Sequence, residues 1–180
     1  MFATRPIPMG TITWVLDPLD RVLDLDNDPQ FRNYPATLER YTFVNSDGHY
    51  VLCWDLARFV NHNCEANCLS PGFDFEIAIR DIAAGEQMTN DYGSLNLEKP
   101  MQCRCDSQKC RGITRPEDFE QLAPDWDRLL KRAFPHINGV DQPLWTWVKE
   151  RDEVERCLQD AGLMPSILRH RHQSHARPVV

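Results

Sequence analysis

The segment Cys103-Arg104-Cys105-Asp106-Ser107-Gln108-Lys109-Cys110 puts three cysteines within eight residues. Three thiolates so close together converge readily on one metal, and zinc prefers four tetrahedral ligands. The fourth ligand must then come from elsewhere in the chain. The candidates are Cys53, Cys64, Cys68, Cys157 or a histidine. A fourth thiolate would close the site and make the metal structural, whereas an open position would make it catalytic. A reduced loop without metal is the alternative. The seven cysteines are an odd number and no secretory signal precedes them, so they make a poor disulfide framework.

Composition narrows the class. The 180 residues carry 20 Lys and Arg against 27 Asp and Glu, a net charge of −7, with 42% hydrophobic residues. That is ordinary for one globular unit with a real core. No apolar run approaches a membrane span, so no membrane partner is expected. The acidic balance excludes a protein that coats nucleic acid, and direct nucleic-acid binding is not expected. A basic peptide or protein is the natural partner. Asp17 to Asp28 alone contains five Asp and one Arg, either a solvated face or a landing surface for such a partner.

Along the chain, TITWVL (11–16) reads as a strand, and PQFRNYPATLERYTF as a short helix broken at Pro35. YTFV, NSDG and HYVLCW form a hairpin signal. FDFEIAIRDI alternates Phe73, Phe75, Ile77 and Ile79 with Asp74, Glu76, Ala78 and Arg80, a half-buried strand. After Gly112 the pattern becomes helical. Thr114 is a candidate N-cap for TRPEDFEQL, APDWDRLLKRAF adds an amphipathic turn or two, and QPLWTWVKERDEVERCLQDAGL is the longest predicted helix. The arginine- and histidine-rich RHRHQSHARPVV is predicted to be mobile. The chain thus reads as mainly β with an α annex.

Two further segments carry chemistry only in combination. By itself Arg58-Phe59-Val60-Asn61-His62-Asn63-Cys64-Glu65-Ala66-Asn67 is a polar loop with a structural histidine, and Tyr92 is a core aromatic. Yet RFVNHNCEAN, GEQMTNDYG and CRCDSQKCRG, in this order, resemble the SET-domain protein lysine methyltransferases with a post-SET zinc segment. FATRPIPMGTI is similar to the family's first strand. The resemblance covers residues 2 to 113. It implies small curved β-sheets around a pseudoknot, where the Asn-His and Asp-Tyr segments pass one another, followed by C-terminal helices. The domains then run 1–98 (SET), 99–115 (post-SET zinc segment), 116–168 (helical extension) and 169–180 (mobile basic tail).

The resemblance also implies roles. Asn61 and His62, with Phe2, Ala3 and Tyr92, match positions that hold S-adenosylmethionine. Tyr92 and Tyr41 match active-site tyrosines, and Tyr41 and Asn90 line the lysine channel. Cys64 matches the cysteine that joins Cys103, Cys105 and Cys110 around one structural zinc ion. The implied activity is methyl transfer from S-adenosylmethionine to a lysine amine of a basic protein or peptide by a monomer. Its location would be cytoplasmic in a bacterium and nuclear, at chromatin, in a eukaryote.

Two departures from the family pattern stand out. The Gly-x-Gly turn that precedes the family's Phe-Ala is missing here, which suggests that Met1 is internal to a longer chain. Asn90 replaces the family's usual Phe or Tyr, and Ala66 a common proline. An inactive SET-like module, stabilised by zinc and binding protein, is therefore the alternative. A zinc hydrolase would require an open metal position.

Overall fold

The computed structural model describes residues 1–173. In chain order the strands and helices are β1 (Ile12–Val15), β2 (Arg21–Leu23), α1 (Pro35–Tyr41), β3 (Thr42–Val44), β4 (Tyr50–Leu52), β5 (Asn61–His62), β6 (Cys68–Leu69), β7 (Phe75–Ala78), β8 (Thr89–Asn90), β9 (Met101–Gln102), β10 (Ile113–Thr114), α2 (Asp118–Ala133) and α3 (Arg151–Gln159). A five-stranded sheet has the order β1-β7-β6-β8-β5, a three-stranded sheet the order β2-β4-β3, and β9 pairs with β10. The fold is mainly β with added helices, as the sequence predicts, and the hairpin of β3 and β4 forms at NSDG with Gly48 at φ +84°.

The five-stranded sheet has two covered faces. Ile12, Val15, Phe75 and Ile77 point into a core completed by Phe119, Ala123, Trp126 and Leu130 of α2 and by Val154 and Cys157 of α3. Positions 119, 123, 126 and 130 recur at helical spacing, so α2 buries one continuous stripe. Trp14 and Glu76, paired across β1 and β7 next to a bulge, belong to the opposite face. That face looks toward the three-stranded sheet, and Trp14 meets Phe43 of β3 edge-on at 5.8 Å between centroids.

Helix lengths differ from the sequence reading. One helix, α2, spans the predicted break, with Pro124 inside it. A proline there forfeits one backbone bond, and the buried stripe outweighs that loss. Thr114 is a buried strand residue and does not cap α2. Instead Asp118 accepts the N–H of Arg115 at 3.0 Å. The long helix expected over 142–163 is shortened to α3. Gln142 spends its side chain on the chain's first strand, accepting from Ile12 N at 2.9 Å and donating to Gly10 O at 2.8 Å. Trp145–Trp147 form only a 3-10 turn.

The basic segment predicted to be mobile from residue 169 is packed through His172. Arg169 forks onto Glu153, and Arg171 bonds Glu120 at 2.6 Å. Asn96, at φ +53°, grips the segment from both ends of its amide, donating to His170 O and accepting from His172 N. Beside it, the His172 ring packs 2.6 Å from where a Cβ on Gly48 would lie, and the φ of +84° favours glycine there. The rest of the expected tail, 174–180, lies outside the described residues.

Candidate active site and metal centre

β5 and β8 run parallel, pairing Asn61 with Thr89 and His62 with Asn90, and β6 joins the other edge of β8. This pairing brings the Asn-His segment against the Asp-Tyr segment from nearly thirty residues away. Tyr92 follows immediately, and its hydroxyl donates to Val60 O at 2.7 Å. With its proton so engaged, the oxygen keeps lone pairs free to accept. Burial first, and then the nearby Glu76 charge, push the Tyr92 pKa up, so the phenol stays protonated.

His62 organises this junction. Its Nδ1 accepts the backbone N–H of Tyr92 at 3.1 Å, which leaves the ring proton on Nε2. Burial pushes its pKa down and keeps the ring neutral, although Asp91 pulls the other way. Nε2 lies 3.4 Å from Cys64 Sγ and 3.3 Å from Thr114 Oγ1. Its ring is thus a donor to that sulfur and hydroxyl.

The predicted thiols meet. Cys103 Sγ lies 3.7 Å from Cys64 Sγ and 3.5 Å from Cys110 Sγ. The ligand atoms of His62, Cys64, Cys103 and Cys105 all fall within 4.8 Å of one another. Sulfurs held tetrahedrally at about 2.3 Å from zinc are about 3.8 Å apart, so the thiol spacing fits the metal. His62 stands within that group, although with its Nδ1 accepting the Tyr92 N–H it could ligate only as an imidazolate, and Cys110 joins the group through Cys103. Backbone N–H groups of Cys105, Arg111 and Gly112 point at Cys103, Cys64 and Cys110 respectively, at 3.5, 3.3 and 3.4 Å, and would offset thiolate charge.

Between the two larger sheets lies a cavity of about 310 Å³, whose walls include Tyr41, Trp14, Glu76, Asn90 and Tyr92. Trp14 Nε1 is buried without a hydrogen-bond partner among the described residues. Tyr41 ends α1 and packs edge-on to Phe59 at 5.9 Å. Asn90 donates its amide to the Glu76 carboxylate. Glu76 escaped the sequence reading because its alternation placed it on the polar face of β7, which ordinarily faces water. Here that face is the cavity wall, and burial raises the Glu76 pKa to about 7, with the Asn90 amide opposing.

Of the remaining sequence candidates, Asn61 and Phe2 are exposed and Ala3 is buried. Phe2 is 62% exposed and Phe59 46%, and the Met1 nitrogen reaches Phe59 O at 3.2 Å. Ala3 is buried and exchanges backbone bonds with Glu86 and Gly85. Phe2 and Phe59 thus present exposed aromatic surface near the exposed Asn61. Arg111 was also missed. It forks onto Asp91, the residue before Tyr92, at 2.7 and 2.6 Å, and its Nε approaches Asp118 at 3.3 Å.

The family model described as "SET domain" matches residues 1–93. The chain is 31% identical over 87 residues to the histone-lysine N-methyltransferase ASHR3 of Arabidopsis thaliana, covering 43% of this chain and 18% of that one. It is 33% identical over 98 residues to the Arabidopsis thaliana histone-lysine N-methyltransferase ATX2, covering 51% of this chain and 8% of that one. It therefore spans less than a fifth of the length of these relatives. The methyltransferase domain of human SETMAR superposes with a TM-score of 0.42 at 17% identity, over 62% of this chain and 51% of that chain. With its Asn-His and Asp-Tyr segments paired side by side and the family model matched from Met1 to Gly93, the chain belongs to the SET-domain family.

Proposed function

We propose that this chain transfers a methyl group from S-adenosylmethionine to a lysine amine of a basic protein, histones being the first substrates to test. The observation that carries the reading is the Tyr92 hydroxyl, tied to Val60 O one residue before Asn61 and standing in the cavity wall. One residue thereby joins the surface proposed for the cofactor to the channel proposed for lysine.

Asn61, His62, Ala3 and Phe2 would hold the cofactor, which supplies an electrophilic methyl when bound. The chain's own residues do the rest. A free lysine has a pKa of about 10.4, so roughly one amine in a few thousand is neutral at pH 7. Tyr41, Trp14 and Tyr92 offer a narrow, mostly apolar passage that strips water from the ammonium and favours its neutral form. Tyr92, already donating to Val60, accepts from the amine and orients its lone pair. Cys64, Cys103, Cys105 and Cys110 would hold a structural zinc, which would tie down the segment whose Arg111 reaches Asp91. The acidic Asp17–Asp28 stretch would favour a basic partner.

Incubation with methyl-labelled S-adenosylmethionine and purified core histones, followed by amino-acid analysis, tests this. Labelled methyl-lysine supports the reading. Calorimetry that detects cofactor binding without any transfer would favour the inactive protein-binding module.

A further inference from the structure

The cavity wall holds a carboxylate that the role of Tyr92 does not use. Glu76 sits on β7 between Phe75 and Ile77, which are sealed in the core, and turns to the opposite side. Asn90 engages its Oε1. Oε2 has no hydrogen-bond partner among the described residues. A carboxylate in such a place is costly unless something cationic comes to meet it. No Lys or Arg pairs with it, and the neighbouring strand β1 offers Trp14, whose Nε1 is also unpartnered.

The geometry points to Glu76 as the group that receives the substrate ammonium in the cavity and takes its proton. This deepens the methyltransferase reading and rests on it. The step balances simply. One N–H bond of the ammonium breaks and one O–H bond forms on Glu76, giving a neutral amine and a neutral carboxylic acid. The electron pair of the broken bond stays on nitrogen as the lone pair that methyl transfer requires. Two charges become none, the favoured direction where water is excluded.

Other titratable groups near Glu76 are engaged or held protonated. Tyr92, following β8, donates its proton to Val60 O and is held as a phenol. Cys68 on β6 is pushed up to about 12, by burial first and then by the Glu76 charge. Cys53, after β4, is raised by burial, with Asp20, Asp55 and Glu76 adding to it. Arg58, Asp74 and His170 also line the cavity. His170 has its Nε2 occupied by Ser70 and Phe73 O, at 2.8 and 3.0 Å. Burial raises the Glu76 carboxyl to about 7, so it changes charge near neutrality. Asn90, at the family's aromatic position, then positions the base.

The test compares wild type with Glu76→Gln, which keeps the shape. Methyl transfer to core histones is followed across about pH 6 to 9, cofactor affinity by calorimetry, and n-butylammonium binding by the amide resonances of Asn90 and Ser94. The expected result is a kcat lower by about 100-fold with unchanged cofactor affinity, loss of the acid limb near neutrality, and loss of n-butylammonium binding. Wild-type kcat with an unchanged acid limb in Glu76→Gln overturns the proposal. If wild type transfers no methyl, the methyltransferase reading fails separately. The n-butylammonium titration then decides: binding lost in Glu76→Gln supports Glu76 as the cation acceptor, and no binding in wild type overturns it. Should Glu76→Gln not fold, Glu76→Asp serves instead. It is expected to lower kcat while retaining an acid limb, and unchanged kcat overturns the proposal.

Discussion

Arg111 grips Asp91 with both arms of its guanidinium, so the cysteine-rich segment and the residue preceding Tyr92 are fastened by a two-point ion pair. The Asp91 side chain is 2% exposed and that of Arg111 21%. Burial opposes the Arg111 charge, and the hydrogen bonds and charge of Asp91 outweigh it, raising its pKa. Asp91 Oδ1 also accepts the Gly93 N–H at 3.1 Å, so the same carboxylate shapes the turn that carries Tyr92.

Arg111→Ala strands Asp91 as a buried, unpaired anion. The expected cost is about 3 kcal/mol in denaturant unfolding, because removing one partner of a buried pair leaves the other uncompensated. Arg111→Lys should recover only part of it, since a single ammonium cannot reproduce the fork. Unchanged stability in Arg111→Ala would mean that water solvates Asp91.

Four-thiolate zinc makes a sharp distinction among the seven cysteines. Elemental analysis of the full chain is expected to find one zinc, retained in Cys53→Ser and Cys157→Ser and weakened in Cys64→Ser. His62→Ala should keep the metal, because His62 Nδ1 accepts the Tyr92 N–H and Nε2 could ligate only as an imidazolate. Zinc loss in His62→Ala with retention in Cys110→Ser would reverse the ligand assignment.

Glu76 should make stability depend on pH with a definite sign. Its carboxyl titrates at an ordinary 4.5 when unfolded and at about 7 when folded. Between those values the folded chain keeps a proton that the unfolded chain has lost. Stability from this group is therefore full below about pH 4.5, declines up to about pH 7 and is flat above, by about 3 kcal/mol in all. Glu76→Gln removes that decline, so it should be more stable than wild type at pH 8 in urea unfolding while being the poorer enzyme. A less stable Glu76→Gln at that pH would show that the carboxylate serves the fold.

The helices after Thr114 are expected to be indispensable. They cover Phe75 and Ile77, each 0% exposed, and supply Phe119, Trp126 and Leu130 to the same core. A chain ending at residue 115 would uncover that face of the central sheet and should aggregate or bind a hydrophobic dye. A soluble, cooperatively unfolding product of that length would refute it.

How much of this was legible in the sequence depends on the range of the contact. The alternation around Phe75 and Ile77 gave β7 its register, because a period of two is local. It could not say that the second face of the sheet is covered too, so Glu76 passed as a solvent residue. Cys64 is separated from Cys103 by 39 positions, and no spacing rule connects them. Only the family resemblance singled it out, and the two sulfurs do meet. The helix expected over 142–163 failed for a tertiary reason, the capture of Gln142 by Ile12 and Gly10. Likewise the charges of Arg169 and Arg171 suggested solvent, whereas Glu153 and Glu120 hold them against the domain.

The most direct test of the account is methyl transfer by Tyr92→Phe. The phenylalanine fills the same volume but neither bonds Val60 O nor accepts from an amine. With labelled S-adenosylmethionine and core histones, wild type is expected to form methyl-lysine, and Tyr92→Phe to lose about 100-fold or more of that rate at saturating cofactor. Transfer at the wild-type rate by Tyr92→Phe would contradict the account.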